Sequence, residues 1–153
     1  MTNELFYQIL NDDELLRISK KIKEKKKITS GEIVVSIKER SSLSFKKKTV
    51  RELAELEYNR IGINKTRDNT GILLYFLLER REFYILADSA INEKVSDDLW
   101  DSVKGRMETF FKNGEFCKGI ISAVDEVGDI LAKHFPIKPD DTNEISNKVI
   151  VRP

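Results

Sequence analysis

An α/β fold, a small mixed β-sheet (a parallel crossover plus an antiparallel hairpin) sandwiched between helical layers, is what this 153-residue chain predicts. Three observations carry that reading. Ile72 to Leu78 is an unbroken apolar run, a charged break from Glu79 to Glu82 follows, and Phe83 to Ala87 is apolar again. A helix would need a polar stripe, which both runs lack, so they read as two strands joined by a tight turn. Neither run alternates, so both faces of this hairpin should be covered. Glu32 to Lys38 alternates, with Ile33, Val35 and Ile37 on one face and Val34 on the other, as a first strand does. Helical periodicities before, between and after these strands supply the covering layers.

Each element has its own signal. Asn11 with Glu14 makes a capping pair, after which Leu15, Ile18 and Ile22 share a helix face. That helix ends in the run Lys23 to Lys27, which reads as a solvated helix end whose cations complement the dipole. No aromatic residues interleave the lysines, as they would in a nucleic-acid surface. Thr29-Ser30-Gly31 turns the chain into the first strand. A second helix is expected from about Lys46 to Arg60, with Val50, Leu53, Ala54 and Ile61 facing inward and Gly62 as its stop. After the hairpin, a helix starting near Val95 to Ser96 carries Trp100, Val103, Met107, Phe110 and Phe111 on one stripe, which reads as core rather than a cofactor box. Asn113-Gly114 ends it. The last helix carries Phe116, Ile120, Val124, Val127 and Leu131, with Gly119 and Gly128 permitting close packing.

Composition narrows the functional classes. Charged residues make up 35% of the chain, yet the net charge is +1, so nothing points to nucleic acid or to an acidic substrate. The single cysteine, Cys117, excludes an intramolecular disulfide and suits a reducing compartment. The apolar runs are far shorter than the ~20 residues of a membrane span, and the N-terminus has no signal-peptide pattern, so a cytoplasmic setting is expected. Residues 1–136 read as one domain and 137–153 as a polar tail, flexible or docked, in which Val149-Ile150-Val151 is able to add a strand to a sheet edge. The single histidine, His134, reads as a helix-end residue rather than part of a Ser-His-Asp relay, and no phosphate loop or dinucleotide fingerprint is present.

Topology then brings polar residues together. The first two strands, joined through a helix, should be parallel, and the third antiparallel. One sheet edge therefore collects Thr29 to Glu32, Asp68-Asn69-Thr70 and Asp88-Ser89, with Asp97 and Asp98 of the following helix nearby. Carboxylate, amide and carbonyl oxygens suit Ca²⁺ or Mg²⁺, whereas zinc would want a Cys/His cluster. Asp68, Asn69, Asp88, Asp97 and Asp98 are the candidate ligands. Each is also ordinary as turn or first-turn helix chemistry.

Several of these segments resemble the TPM domain family: Thr29-Ser30-Gly31-Glu32-Ile33, then Thr66 to Tyr75, then Ile85-Leu86-Ala87-Asp88. Trp100, Met107, Phe111 to Phe116 with Gly119, and Leu131 to Pro136 follow in the same order. The resemblance covers about residues 12 to 136 and is strongest to short bacterial members without signal peptide or anchor. It implies a sheet between helices. It also implies either divalent-cation binding, calcium included, or the acid phosphatase activity described for a thylakoid-lumen member. Two departures stand out: glycine is displaced by one in Asn69-Thr70-Gly71, and Asp88-Ser89-Ala90 has alanine where the family often has glycine. Three functions are thus expected as alternatives. The first is a module that binds a divalent cation and acts through a protein partner, one at a membrane surface included. The second is a metal-dependent phosphatase acting on phosphoesters. The third is an ion-free interaction domain.

Overall fold

The computed structural model describes residues 9–66, 68–139 and 149–153. In chain order the elements are α1 (Asp12–Lys26), β1 (Glu32–Lys38), α2 (Val50–Ile61), β2 (Gly71–Leu77), β3 (Glu82–Ala87), α3 (Ser89–Lys94), α4 (Asp97–Lys112), α5 (Phe116–His134) and β4 (Ile150–Arg152). The sheet order is β3-β2-β1-β4. β1 runs parallel to β2 and to β4, and β2 pairs antiparallel with β3. The expected α/β class, the crossover and the hairpin are all present.

Local chemistry explains most boundaries. Asn11 caps α1 reciprocally with Glu14, at 2.8 and 3.1 Å, and Thr49 does the same for α2 with Glu52. The expected start of α2 at about Lys46 is therefore early by one turn, because Thr49 supplies the cap and the helix begins at Val50. Gly62 stops α2 in the left-handed region at φ 87°. The hairpin turns through Leu78–Arg80 and Arg81, which takes φ 54°. One element escaped the periodicity: α3 is too short to show a stripe.

The sheet separates two apolar clusters. Ile33, Val35, Ile37, Ile72, Leu74 and Phe76 face α1, α4 and α5. Phe76 sits among Phe83, Phe111 and Phe116 with ring centroids 5.7 to 6.0 Å away. Val34, Leu73, Tyr75 and Leu77 face α2, with Leu53, Ala54 and Tyr58. β2 is buried throughout, as its unbroken apolar run requires, but β3 lies at the sheet margin and only Ile85 in it is buried. The covered-on-both-faces expectation thus holds for β2 alone.

The lysine run differs from its reading as a solvated helix end, and a second charged group is buried on the other face. Lys25, inside the lysine run, is buried, with Nζ 2.8 Å from both Asp125 and Asp129 of α5. Its stem passes over Gly128, where an added Cβ would lie 2.5 Å from Lys25 Cγ. Lys26 reaches Glu32 and the carbonyls of Ser30 and Gly31. On the other face, Glu57 is buried and accepts hydrogen bonds from Ser36 Oγ and from Arg152 Nε, the latter at 2.7 and 3.0 Å. Arg152 belongs to β4, so the end of the tail docks within its own sheet.

Candidate functional site

The amino ends of the parallel strands form the edge that topology predicted. The Glu32 amide donates to Thr70 O at 3.1 Å, and the Asp88 amide to Gly71 O at 2.9 Å. The Ala90 amide donates to Asn69 O at 3.3 Å. Three of the four expected segments are therefore stitched together by backbone hydrogen bonds. Gly71 lets the loop after α2 pack against the start of β2: a Cβ there would lie 2.3 Å from Ile63 Cγ2. The adjoining end of α5 closes the edge, with Thr29 Oγ1 donating to Phe135 O at 2.6 Å.

Each candidate ligand has a distinct setting. Asn69 takes φ 56°, in the left-handed region that Asn tolerates better than most residues. Asp68 forms an ion pair with Lys138 at 3.2 Å. Asp88 caps α3, its Oδ1 accepting from the Ser89 amide at 2.7 Å. Its other oxygen, Oδ2, is buried and lacks a hydrogen bond of good geometry, and so does Thr66 Oγ1 in the preceding loop. Orphaned buried oxygens are uncommon and call for an explanation. The Tyr58 phenol from α2 lies beside Asp88. Burial, and then the charge of Asp88, hold that phenol well above its ordinary range.

Asp97 and Asp98 open α4, where they favour the helix dipole. Asp97 lines a cavity of about 400 Å³ alongside β3, with Asn92, Asp101 and Lys104. α3 stands between Asp88 and this helix start, which the sequence reading did not allow for. Among the described residues, no three acidic, histidine or cysteine side chains gather closely enough to hold a metal ion. What does assemble is two loops joined by backbone hydrogen bonds, one carrying Asp68 and Asn69 and the other Asp88. That donor set fits a hard cation that keeps several waters, since such ions accept carbonyl, amide and water oxygens alongside carboxylates.

Sequence reasoning missed Tyr58 and Lys138. Tyr58 lies four residues after Ala54, so the α2 stripe was able to reveal it as buried, though not its neighbour. Lys138 comes from the segment after α5 and carries no local signal. Arg67, next to Asp68 in the chain, lies outside the described residues, and Lys94 is placed with Nζ 5.8 Å from the Phe135 ring centre.

A model of the TPM domain matches residues 6–130. The chain belongs to the TPM domain family. Among solved structures, this TPM domain is similar to the BA42 protein from the psychrophilic bacterium Bizionia argentinensis, solved by NMR. The two are 32% identical with a TM-score of 0.83, over 93% of this chain and 94% of that one. It also resembles the N-terminal domain of a protein from P. gingivalis, at 16% identity and a TM-score of 0.67 over 83% and 79% of the chains, a likeness of fold. No curated protein matches. The TPM domain family named from the sequence motifs is thus the family found, and no helix among the described residues is long and apolar enough to cross a membrane.

Proposed function

We propose that this TPM domain binds a divalent cation, Ca²⁺ or Mg²⁺, at the amino edge of its sheet and acts through a protein partner that recognises the loaded edge. The observation that carries the reading is the buried Asp88 Oδ2, which lacks a hydrogen bond of good geometry and has the Tyr58 phenol as its neighbour, next to a loop that presents Asp68 and Asn69. Asp88 and Asp68 would supply carboxylate oxygens and Asn69 its amide oxygen. The ion would supply the charge that neutralises both aspartates and holds the two loops together. Binding rather than phosphoester hydrolysis is favoured by the engagement of the described cations nearby. Lys138 pairs with Asp68, and Lys94 covers Phe135, which leaves neither poised to clamp a phosphate.

The test is a calcium titration, repeated with magnesium, followed by backbone amide NMR. Shifts confined to Asp68–Gly71 and Asp88–Ile91 are expected, together with a rise in the thermal midpoint. Asp88→Asn should abolish both while keeping α3 capped, because Asn caps as well as Asp. Added shifts over Val95–Leu99 would bring Asp97 or Asp98 into the ligand set. No shift and no stabilisation at millimolar ion would sink the proposal. Phosphoester turnover that Asp88→Asn removes would replace it with the phosphatase reading.

A further inference from the structure

A second polar site lies at the opposite edge of the sheet. In open α/β sheets, ligands bind beyond the carboxyl ends of the strands. Here β1 and β4 are parallel neighbours whose carboxyl ends lie side by side. From β1 the chain crosses to β2 over the α2 face, while β4 enters on the other side of β1. A cavity of about 350 Å³ opens there on the α2 face.

Its charge is lopsided. Lys38 of β1 and Arg152 of β4 are register partners and both line the cavity, as does Arg60 of α2. Like charges on neighbouring strands repel. Glu57 is the carboxylate that also lines the cavity, and it is already engaged by Arg152 and Ser36. Among the described residues, Lys38 and Arg60 make no ion pair. In a chain with a net charge of +1, three cations against one satisfied carboxylate is a local excess without an internal counter-ion.

The remaining wall is suited to an anion with an organic body. The Tyr75 ring lines the cavity, and burial, followed by the charge of Glu57, pushes its phenol up to about 12, so it stays protonated and able to donate. Phe45 and Leu56 line the same cavity and are exposed, at 39% and 45%. The Glu57 carboxylate holds the Arg152 guanidinium in place before any ligand arrives.

We propose that this cavity binds a small organic oxyanion, its phosphate or carboxylate head held by Lys38, Arg60 and Arg152 and its apolar body against Phe45 and Leu56. Arg152 is a fixed donor, and Lys38 and Arg60 close on the ligand.

The experiment uses the full chain desalted into buffer free of divalent cations, so that the amino edge plays no part and no chelator carboxylate competes for the cavity. Phenylphosphonate, inorganic phosphate and benzoate are titrated separately and followed by amide NMR, with sodium chloride at matched ionic strength as the control. Shifts at Lys38–Ser42, Leu56–Arg60 and Ile150–Arg152 are expected, saturating with phenylphosphonate at lower concentration than with inorganic phosphate. Tighter benzoate than phenylphosphonate binding would assign the head group as a carboxylate, and the reverse as a phosphate. The double variant Lys38→Gln and Arg60→Gln, in which no described ion pair is lost, should fold normally and bind at least about tenfold more weakly. Equal shifts with sodium chloride, or unchanged affinity in the double variant, would overturn the proposal, and equal affinity for phosphate and phenylphosphonate would overturn the role of the apolar wall.

Discussion

The two faces of the sheet are stabilised differently. The face under α1, α4 and α5 is closed by aliphatic residues and by the Phe76, Phe83, Phe111 and Phe116 cluster. The face under α2 has a smaller apolar cluster, and a buried glutamate bridges α2, β1 and β4. Apolar packing is non-directional and tolerates an approximate fit, whereas a buried carboxylate must have its partners placed to within hydrogen-bonding distance. The first face therefore sets most of the stability, and the second sets where the chain end is held.

Truncating Phe76 to alanine should break the first face, at a cost of about 3–5 kcal/mol for a large cavity among aromatic rings. Urea unfolding followed by tryptophan fluorescence of Trp100 measures it, and a cost below about 1 kcal/mol would mean the cluster is not a tightly packed core. On the second face, Glu57→Ala should cost about 2–3 kcal/mol, less than a fully buried pair because Arg152 keeps 25% of its side-chain exposure. The decisive readout is local: hydrogen exchange at Ile150–Arg152 should rise far more than in the core strands, since β4 loses its anchor.

The seams between helices sharpen the comparison further. Gly128→Ala should cost about 1–2 kcal/mol, because the new methyl meets the stem of Lys25 rather than its flexible tip and displaces its pairing with Asp125 and Asp129. The smallest effect is expected at the hairpin turn. Glu79 is held down at about 2, first by its hydrogen bond with Lys46 and then by the Ser41 amide. A carboxylate whose folded value is depressed stabilises the fold above its unfolded value, about 4.3, and that contribution is lost as pH falls towards 2. Glu79→Gln should thus lower stability at pH 7 by about 1 kcal/mol after solvent screening, and by far less at pH 2, where the folded carboxylate is about half protonated. Thermal melts across that range check the sign, and a gap that widens in acid would contradict the cause assigned here.

Legibility followed the range of the interactions. The capping box of Asn11 and Glu14, the Gly62 stop and the β2–β3 hairpin rest on contacts between near neighbours, so they could be read directly. The candidate site was legible in part. Crossover and hairpin rules placed Asp68, Asn69 and Asp88 at one edge, because strand direction alone determines which ends meet. For Asp97 and Asp98 they gave only a position nearby, since six-residue α3, which intervenes, has no periodicity strong enough to announce itself. The lysine run misled for a different reason: composition cannot tell which of five consecutive charges faces a neighbouring helix, and Lys25 does.

The sequence by itself determined the types and order of the longer elements, most of their apolar faces and the family, because these depend on period, caps and turn residues within a few positions of one another. Only the tertiary structure decided that Tyr58 meets Asp88, that Lys138 reaches Asp68, and that Arg152 crosses to Glu57. Those contacts join residues distant in the chain, and their geometry depends on how the elements pack, which no local pattern encodes.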